Sequence, residues 1–222
     1  VSGNKEQITI TTSKLVIRVN KTSNAITYLN KKGEVITSES AENKTMDKAT
    51  IAGIDTYNSN TGFDSPADEA LFGLGCHPED TLSINYKGRN QQMLIKYMTG
   101  AIPVMLSTKG YGLLWDNYSA SNFYGAEAGN TQYKYVSESG KMVDYYFFYG
   151  PGFDHIIDLY RTATGKAPMY PKWSFGLFQS QDKYTTQDEI LSVKDGYRKN
   201  HIPVDAVVQD WYWWSPLPIG SR

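Results

Sequence analysis

The chain has 222 residues, enough for one large domain or two modest ones. A formal net charge of -1, with no Lys/Arg cluster interleaved with aromatics, argues against nucleic acid or an anionic membrane surface as a partner. The single cysteine, Cys76, excludes an internal disulfide and any cysteine-based zinc site, and no apolar run approaches the length of a bilayer span. The N-terminus shows no charged-then-apolar leader, because none existed or because it has been removed.

Residues 1 to about 165 read as all-β. Ile8–Thr12 and Leu15–Val19 alternate between apolar and polar, and Ala25–Leu29 leads through Asn30-Lys31-Lys32-Gly33 into a strand over Glu34–Thr37. The polar stretch 38–62, rich in Ser, Asn and Thr, reads as including a loop, with Ala49–Ile54 as an optional short strand. Further strands are expected over Gln92–Met98, Val104–Thr108, Gly112–Trp115, Tyr133–Val136 and Val143–Tyr149. The last is almost all aromatic, which predicts burial on both faces. Short alternating runs separated by Gly, Asn and Ser predict antiparallel hairpins in a β-sandwich. The aromatic content of 14%, with 17 Tyr and 5 Trp, suits a β core for most of these residues, with stacking on sugar rings as the functional alternative.

After Gly150-Pro151-Gly152 the period changes. Phe153–Thr162 has helical spacing, and Gly165, Pro168 and Pro171 then break the chain. This divides the chain into a sandwich domain, 1–165, and a second domain, 166–222. The second reads strand (Trp173–Phe178), helix (Thr186–Lys199), strand (Val204–Val208). Thr186 and Glu189 form a candidate capping box, and Lys194, Arg198 and Lys199 suit the helix C-terminus.

Parallel strands joined by a helix place functional residues at their C-terminal ends. Asp210 follows the second strand and is a candidate hydroxyl-binding carboxylate, since an ionised carboxylate accepts two hydrogen bonds from adjacent hydroxyls. A helix cap or plain loop carboxylate is the alternative. Trp211, Tyr212, Trp213 and Trp214 beside it form a candidate stacking wall. Asp182 and Tyr184 follow the first strand on the same rim. Asp205, at the opposite end, reads as structural. Asp116 and Asn117 lie on a loop after a sandwich strand, which is either an ordinary turn or one that approaches a neighbouring site. The Gly-rich segment Phe72–Asp80 lacks phosphate-loop spacing, and His77, His155 and His201 show no ligand spacing. No metal and no cofactor is expected.

Three pieces resemble glycoside hydrolase family 31, the retaining α-glycosidases. Phe72-Gly73-Leu74-Gly75 is similar to a signature of that family's N-terminal β-sandwich, with Cys76 standing where Glu or Gln often follows. Gly110–Asn117 resembles the sandwich strand whose following loop approaches the active site. Pro171–Gly176, and Ile202-Pro203-Val204-Asp205 running to Gln209-Asp210-Trp211, resemble the first two strands of its (β/α)8 TIM barrel. Gln-Asp-Trp-x-Trp is closer to the α-xylosidase branch than to the α-glucosidase branch, where Asp-x-Asp-Tyr-Met is more usual. The fold class implied is mainly β: an antiparallel β-sandwich followed by the first β-α-β of a truncated TIM barrel.

The resemblance implies an exo-acting retaining hydrolase of terminal α-linked xylose or glucose. One aspartate would form a covalent glycosyl-enzyme and a second carboxyl group would act as acid and base. Both are implied on later barrel strands, so no catalytic residue is assigned in this chain. Asp210 is implied as a sugar-hydroxyl ligand, with Trp211, Trp213, Asp182 and Asp116 as further substrate-binding candidates. A barrel of this kind takes about 250 residues, and its strands are buried on both faces. The chain is therefore expected to be a piece of a longer enzyme, inactive alone, with the remainder of the barrel and an oligosaccharide as its partners. A non-catalytic carbohydrate-binding or scaffolding sandwich is the alternative. A periplasmic or secreted location is expected over a cytoplasmic one, and homo-oligomerisation stays open.

Overall fold

Alternating side chains make strands with two unlike faces, and here they pair into antiparallel sheets. The computed structural model describes residues 1–77, 83–96, 98–127, 129 and 131–212. It divides into two compact units, 1–166 and 167–222.

The first unit is mainly β. In chain order it holds β1 (Ser2–Gly3), β2 (Gln7–Thr11), β3 (Leu15–Asn20), β4 (Ile26–Asn30), β5 (Val35–Ile51), β6 (Ile54–Asp64) and β7 (Leu71–Cys76). It continues with β8 (Asn90–Met93), β9 (Gly100–Ser107), β10 (Tyr111–Trp115), β11 (Ser121–Glu127), β12 (Gln132–Gly140) and β13 (Tyr145–Tyr149), and closes with helix α1 (Phe153–Thr164). One sheet has the order β1-β2-β3-β4-β5-β6-β12-β11-β8, the other β13-β10-β9-β7. The core draws alternate residues from both, including Tyr111, Leu113 and Trp115 of β10 and Tyr133 and Tyr135 of β12. This is the period-2 pattern of a sandwich.

The core is aromatic, and most of its polar tips are matched. Trp115 stacks on Tyr135 at 4.9 Å and Phe63 on Tyr133 at 5.3 Å. The Tyr111 and Tyr133 hydroxyls lie 3.0 Å apart, and Trp115 Nε1 donates to Ser137 Oγ at 2.9 Å. Each fully buried large side chain contributes about 1.5–3 kcal/mol, and a buried polar tip left unmatched would cost a similar amount.

The segment 38–62 is a hairpin rather than a loop. β5 and β6 pair from Lys44↔Thr61 to Ile51↔Ile54. Their turn is Ala52-Gly53, with φ of 49° and 79°. Both residues are left-handed, which matches the twist of a two-residue hairpin. Polar composition hid these strands because their stability comes from pairing rather than from an apolar face. β5 and β6 shift register between Glu39 and Lys44, and there the buried Glu39 carboxylate accepts from Ile26 N (2.7 Å), Tyr145 Oη (2.8 Å) and Lys44 Nζ (2.5 Å). Tyr28 Oη lies 2.9 Å from Tyr145 Oη, extending the network.

Other boundaries also differ. β8 stops at Met93, short of the expected Met98. β13 is not buried on both faces along its whole length: Tyr145 and Phe147 pack against the core, whereas on the opposite face Phe148 is buried and Tyr146 is 47% exposed. Among the described residues β13 is an edge strand paired with β10 alone, and the ring of Tyr160 on α1 meets Phe148 edge-on. β1, β7 and β11 were not foreseen as strands. β7 contains Phe72-Gly73-Leu74-Gly75, where φ is 105°, 64° and 106° at the last three residues. A Cβ on Gly75 would lie 1.8 Å from the Gly100 carbonyl oxygen, and one on Gly73 2.4 Å from that of Val104. The glycines thus admit the backbone of β9, and the left-handed Leu74 between them is fully buried. His77 Nε2 donates to the Leu74 carbonyl at 2.8 Å, and Gln91 Nε2 reaches His77 Nδ1 at 3.2 Å.

The second unit contains β14 (Phe178–Gln181), α2 (Gln187–Lys199) and β15 (Ala206–Gln209). The strands are parallel, in register from Phe178↔Ala206 to Gln181↔Gln209. The expected strand over Trp173–Phe178 is instead a 3₁₀ turn over Lys172–Phe175, with β14 following it. Pro171 opens the turn at φ -67°, and Ser174 N and Oγ both donate to its carbonyl. Asp205 is structural: its carboxylate accepts Leu177 N at 3.1 Å, and a Cβ on Gly176 would collide with it at 1.9 Å. Thr186 Oγ caps α2 by accepting Glu189 N at 3.1 Å. The Glu189 carboxylate reaches one residue further back than a simple capping box, to Thr185 N (2.6 Å) and Thr185 Oγ (2.7 Å). The hydrogen bonds from Thr185 lower its pKa.

Candidate functional site

The C-terminal ends of β14 and β15 form a rim. Because Gln181 and Gln209 are register partners, Asp182 and Asp210 emerge level with each other. Backbone bonds continue past the strands, with Asp210 N donating to the Gln181 carbonyl and Tyr212 N to the Asp182 carbonyl, both at 3.2 Å. Both aspartates are exposed, and neither makes an ion pair among the described residues. Their acceptor sites therefore face solvent, which suits neutral, hydroxyl-rich ligands.

Trp211 is 53% exposed. Its ring lies 5.2 Å from that of Tyr212, tilted by 36°. Lys183 Nζ sits 4.8 Å from the Tyr212 ring centroid, a cation–π contact that holds one face of that ring. Tyr184, also expected on this rim, is buried, and its hydroxyl has no hydrogen-bond partner among the described residues. Trp213 and Trp214 lie outside the described residues.

Three rim residues escaped the sequence reading. Gln181 Nε2 donates to the Lys183 carbonyl at 2.7 Å. Gln209 Oε1 accepts Tyr184 N at 2.7 Å, and its Nε2 donates to the Tyr212 carbonyl at 3.0 Å. Lys183 completes the set. A glutamine at the last position of each paired strand was the available signal.

Asp116 belongs to the first unit, on the loop after β10. Asn117 shapes this loop: its Oδ1 accepts Ser119 N (2.8 Å) and Oγ (2.7 Å), and its Nδ2 donates to the Ser139 carbonyl (3.0 Å). The loop borders a cavity of about 510 Å³ with Leu94, Ile95 and Pro103. Tyr118 is 100% exposed at its mouth. The cavity thus has an apolar floor, the half-buried carboxylate of Asp116 and the exposed aromatic ring of Tyr118. Among the described residues no group of three or more His, Cys, Asp or Glu side chains could hold a metal, and no helix is long and apolar enough to cross a membrane.

Residues 1–123 match the model of the glycosyl hydrolase 31 N-terminal galactose mutarotase-like domain, and residues 167–219 match that of the glycosyl hydrolases family 31 TIM-barrel domain. The chain belongs to glycoside hydrolase family 31. An α-xylosidase from Saccharolobus solfataricus is 37% identical over 168 residues, 72% of this chain and 23% of that protein. An isomaltosyltransferase from Sporosarcina globispora is 30% identical across 95% of this chain and 20% of its own length. Among solved structures, the family 31 dextranase from Flavobacterium johnsoniae complexed with glucose superposes with a TM-score of 0.73 at 29% identity, over 96% of this chain and 26% of that one. The family 31 α-xylosidase from Xanthomonas citri superposes with a TM-score of 0.82 over 96% of this family 31 chain and 39% of its own, at 19% identity, a likeness of fold alone. The chain spans about a quarter of the length of the curated relatives it matches.

Proposed function

We propose that this family 31 chain is the front part of an exo-acting retaining α-glycosidase that removes terminal α-linked xylose, or glucose, from oligosaccharides. The observation that carries this reading is the rim of the second unit: two exposed carboxylates, without an ion pair among the described residues, level at the ends of parallel strands beside an exposed tryptophan. In this reading Asp210 binds hydroxyls of the non-reducing-end sugar, with Asp182 and Trp211 as neighbours. Asp116, on the sandwich loop after β10, is a further substrate-binding residue in this reading. The nucleophile and the acid/base, two carboxyl groups about 5 Å apart in a retaining enzyme, belong to barrel strands beyond this chain. The α-xylosidases among the relatives favour xylose.

The test is Asp210→Asn in an enzyme that carries the whole barrel. A hydrogen bond to a charged group is worth about 1.5–3 kcal/mol, so kcat/KM for an aryl α-xyloside should fall at least about tenfold. An unchanged kcat/KM would refute the role of Asp210.

The cavity beside Tyr118 favours one other reading, a sandwich that binds carbohydrate without cleaving it. Calorimetry with xyloglucan oligosaccharides separates the two. Binding abolished by Tyr118→Ala and indifferent to Asp210→Asn would support the sandwich.

A further inference from the structure

We propose that Gln209 is a positioning residue: its side-chain amide sets the turn that presents Asp210 and Trp211. The proposal rests on the reading of Asp210 as a sugar-hydroxyl ligand. The amide bridges two loops. Its Oε1 accepts Tyr184 N, from the loop after β14, at 2.7 Å, and its Nε2 donates to the Tyr212 carbonyl, in its own loop, at 3.0 Å. A backbone N–H only donates and a carbonyl only accepts, so these partners fix which end of the amide is which.

The second bond closes a ring from the side chain of residue 209 to the backbone of residue 212, and Asp210 and Trp211 are the residues inside it. The ring is anchored on its other side by the two backbone bonds to Gln181 and Asp182. Tyr212, whose carbonyl the amide holds, also carries the ring beside Trp211 and under Lys183. A turn already ordered before a ligand arrives need not be ordered by it, and affinity rises accordingly. Gln181 does not perform this role: among the described residues its amide bonds within its own loop, to the Lys183 carbonyl.

The experiment compares Gln209→Met, Gln209→Glu and Asp210→Asn in an enzyme with the whole barrel, reading KM and kcat separately. Amide hydrogen exchange is followed at Tyr184. Methionine keeps the length and removes both bonds. Glutamate keeps an acceptor for Tyr184 N and sets a carboxylate against the Tyr212 carbonyl. Both Gln209 variants should raise KM about tenfold with kcat within about twofold. Tyr184 N should exchange slowly in Gln209→Glu and fast in Gln209→Met.

If Asp210→Asn raises KM and neither Gln209 variant does, the positioning role is overturned while the sugar-binding reading stands. If no variant moves KM, that reading falls and takes the proposal with it. A loss of kcat at constant KM would also overturn the proposal, since a merely structural defect reduces active enzyme without changing affinity. Should Gln209→Met not fold, Gln209→Glu alone decides.

Discussion

Raising the pH should unfold the sandwich through its own tyrosines. Burial holds the proton on the hydroxyls of Tyr111, Tyr133, Tyr135 and Tyr145, so each pKa lies above the ordinary phenol value. The charge of Glu69 adds to the effect on Tyr111 and Tyr133. Burial likewise pushes Tyr28 up to about 12. In the unfolded chain a tyrosine ionises near about pH 10. A folded pKa above the unfolded one means that stability is fully present below about pH 10 and declines as the pH rises above it. Each group then contributes a loss of about 1.4 kcal/mol per pH unit. At about pH 11 five such groups remove about 7 kcal/mol, within the 5–15 kcal/mol that ordinarily holds a domain together. Far-ultraviolet circular dichroism and tyrosinate absorbance, followed together during an alkaline titration, make the test. Loss of the strand signal should coincide with one cooperative absorbance step worth five phenols. Ionisation of all 17 tyrosines in a single gradual curve, with the strand signal intact, would refute the reasoning.

Two other perturbations probe the packing. Glu39→Ala leaves Lys44 Nζ, Ile26 N and Tyr145 Oη without their shared acceptor. It should cost about 3–5 kcal/mol in urea denaturation, with Glu39→Gln costing less; a loss below about 1 kcal/mol would contradict this network. Gly75→Ala drives a methyl group to 1.8 Å from a carbonyl oxygen, whereas Gly33→Ala, at φ 85°, meets nothing within 4 Å. The Gly33 change should cost about 1–2 kcal/mol from backbone strain alone, and the Gly75 change at least about twice that. The reverse order of melting temperatures would rule out close approach as the reason for glycine in β7.

Helix α2 was readable because its capping threonine, acidic first turn and basic last turn are local signals. The aromatic strands β10 and β12 were readable from period-2 burial. The hairpin β5–β6 was not, since its far half has polar side chains on both faces and is held by pairing between segments. Its one local clue was Ile-Ala-Gly-Ile, two residues able to turn left-handed between two apolar ones. β14 was placed too early for a related reason. Trp173 and Phe175 suggested a strand, yet Pro171 starts a tight turn there, and the strand itself is Phe-Gln-Ser-Gln. Gln179 and Gln181 spend their polar groups on Tyr197 and on the rim loop, contacts no periodicity announces. Within the rim, Asp182 and Asp210 were found from their place after strands. Gln209 was overlooked because it sits inside the strand, where a side chain is expected to pack rather than to brace a loop.

The register of β14 against β15 separates two properties of the rim that a looser arrangement would confuse. The height at which residues 182 and 210 stand is set by main-chain bonds, which substitutions at those two positions leave unedited. What those residues recognise depends on the side chains alone. Changes at 182, 210 and 211 therefore alter the chemistry offered to a ligand while its altitude above the sheet stays constant, so preference for one sugar over another can drift on a stationary platform.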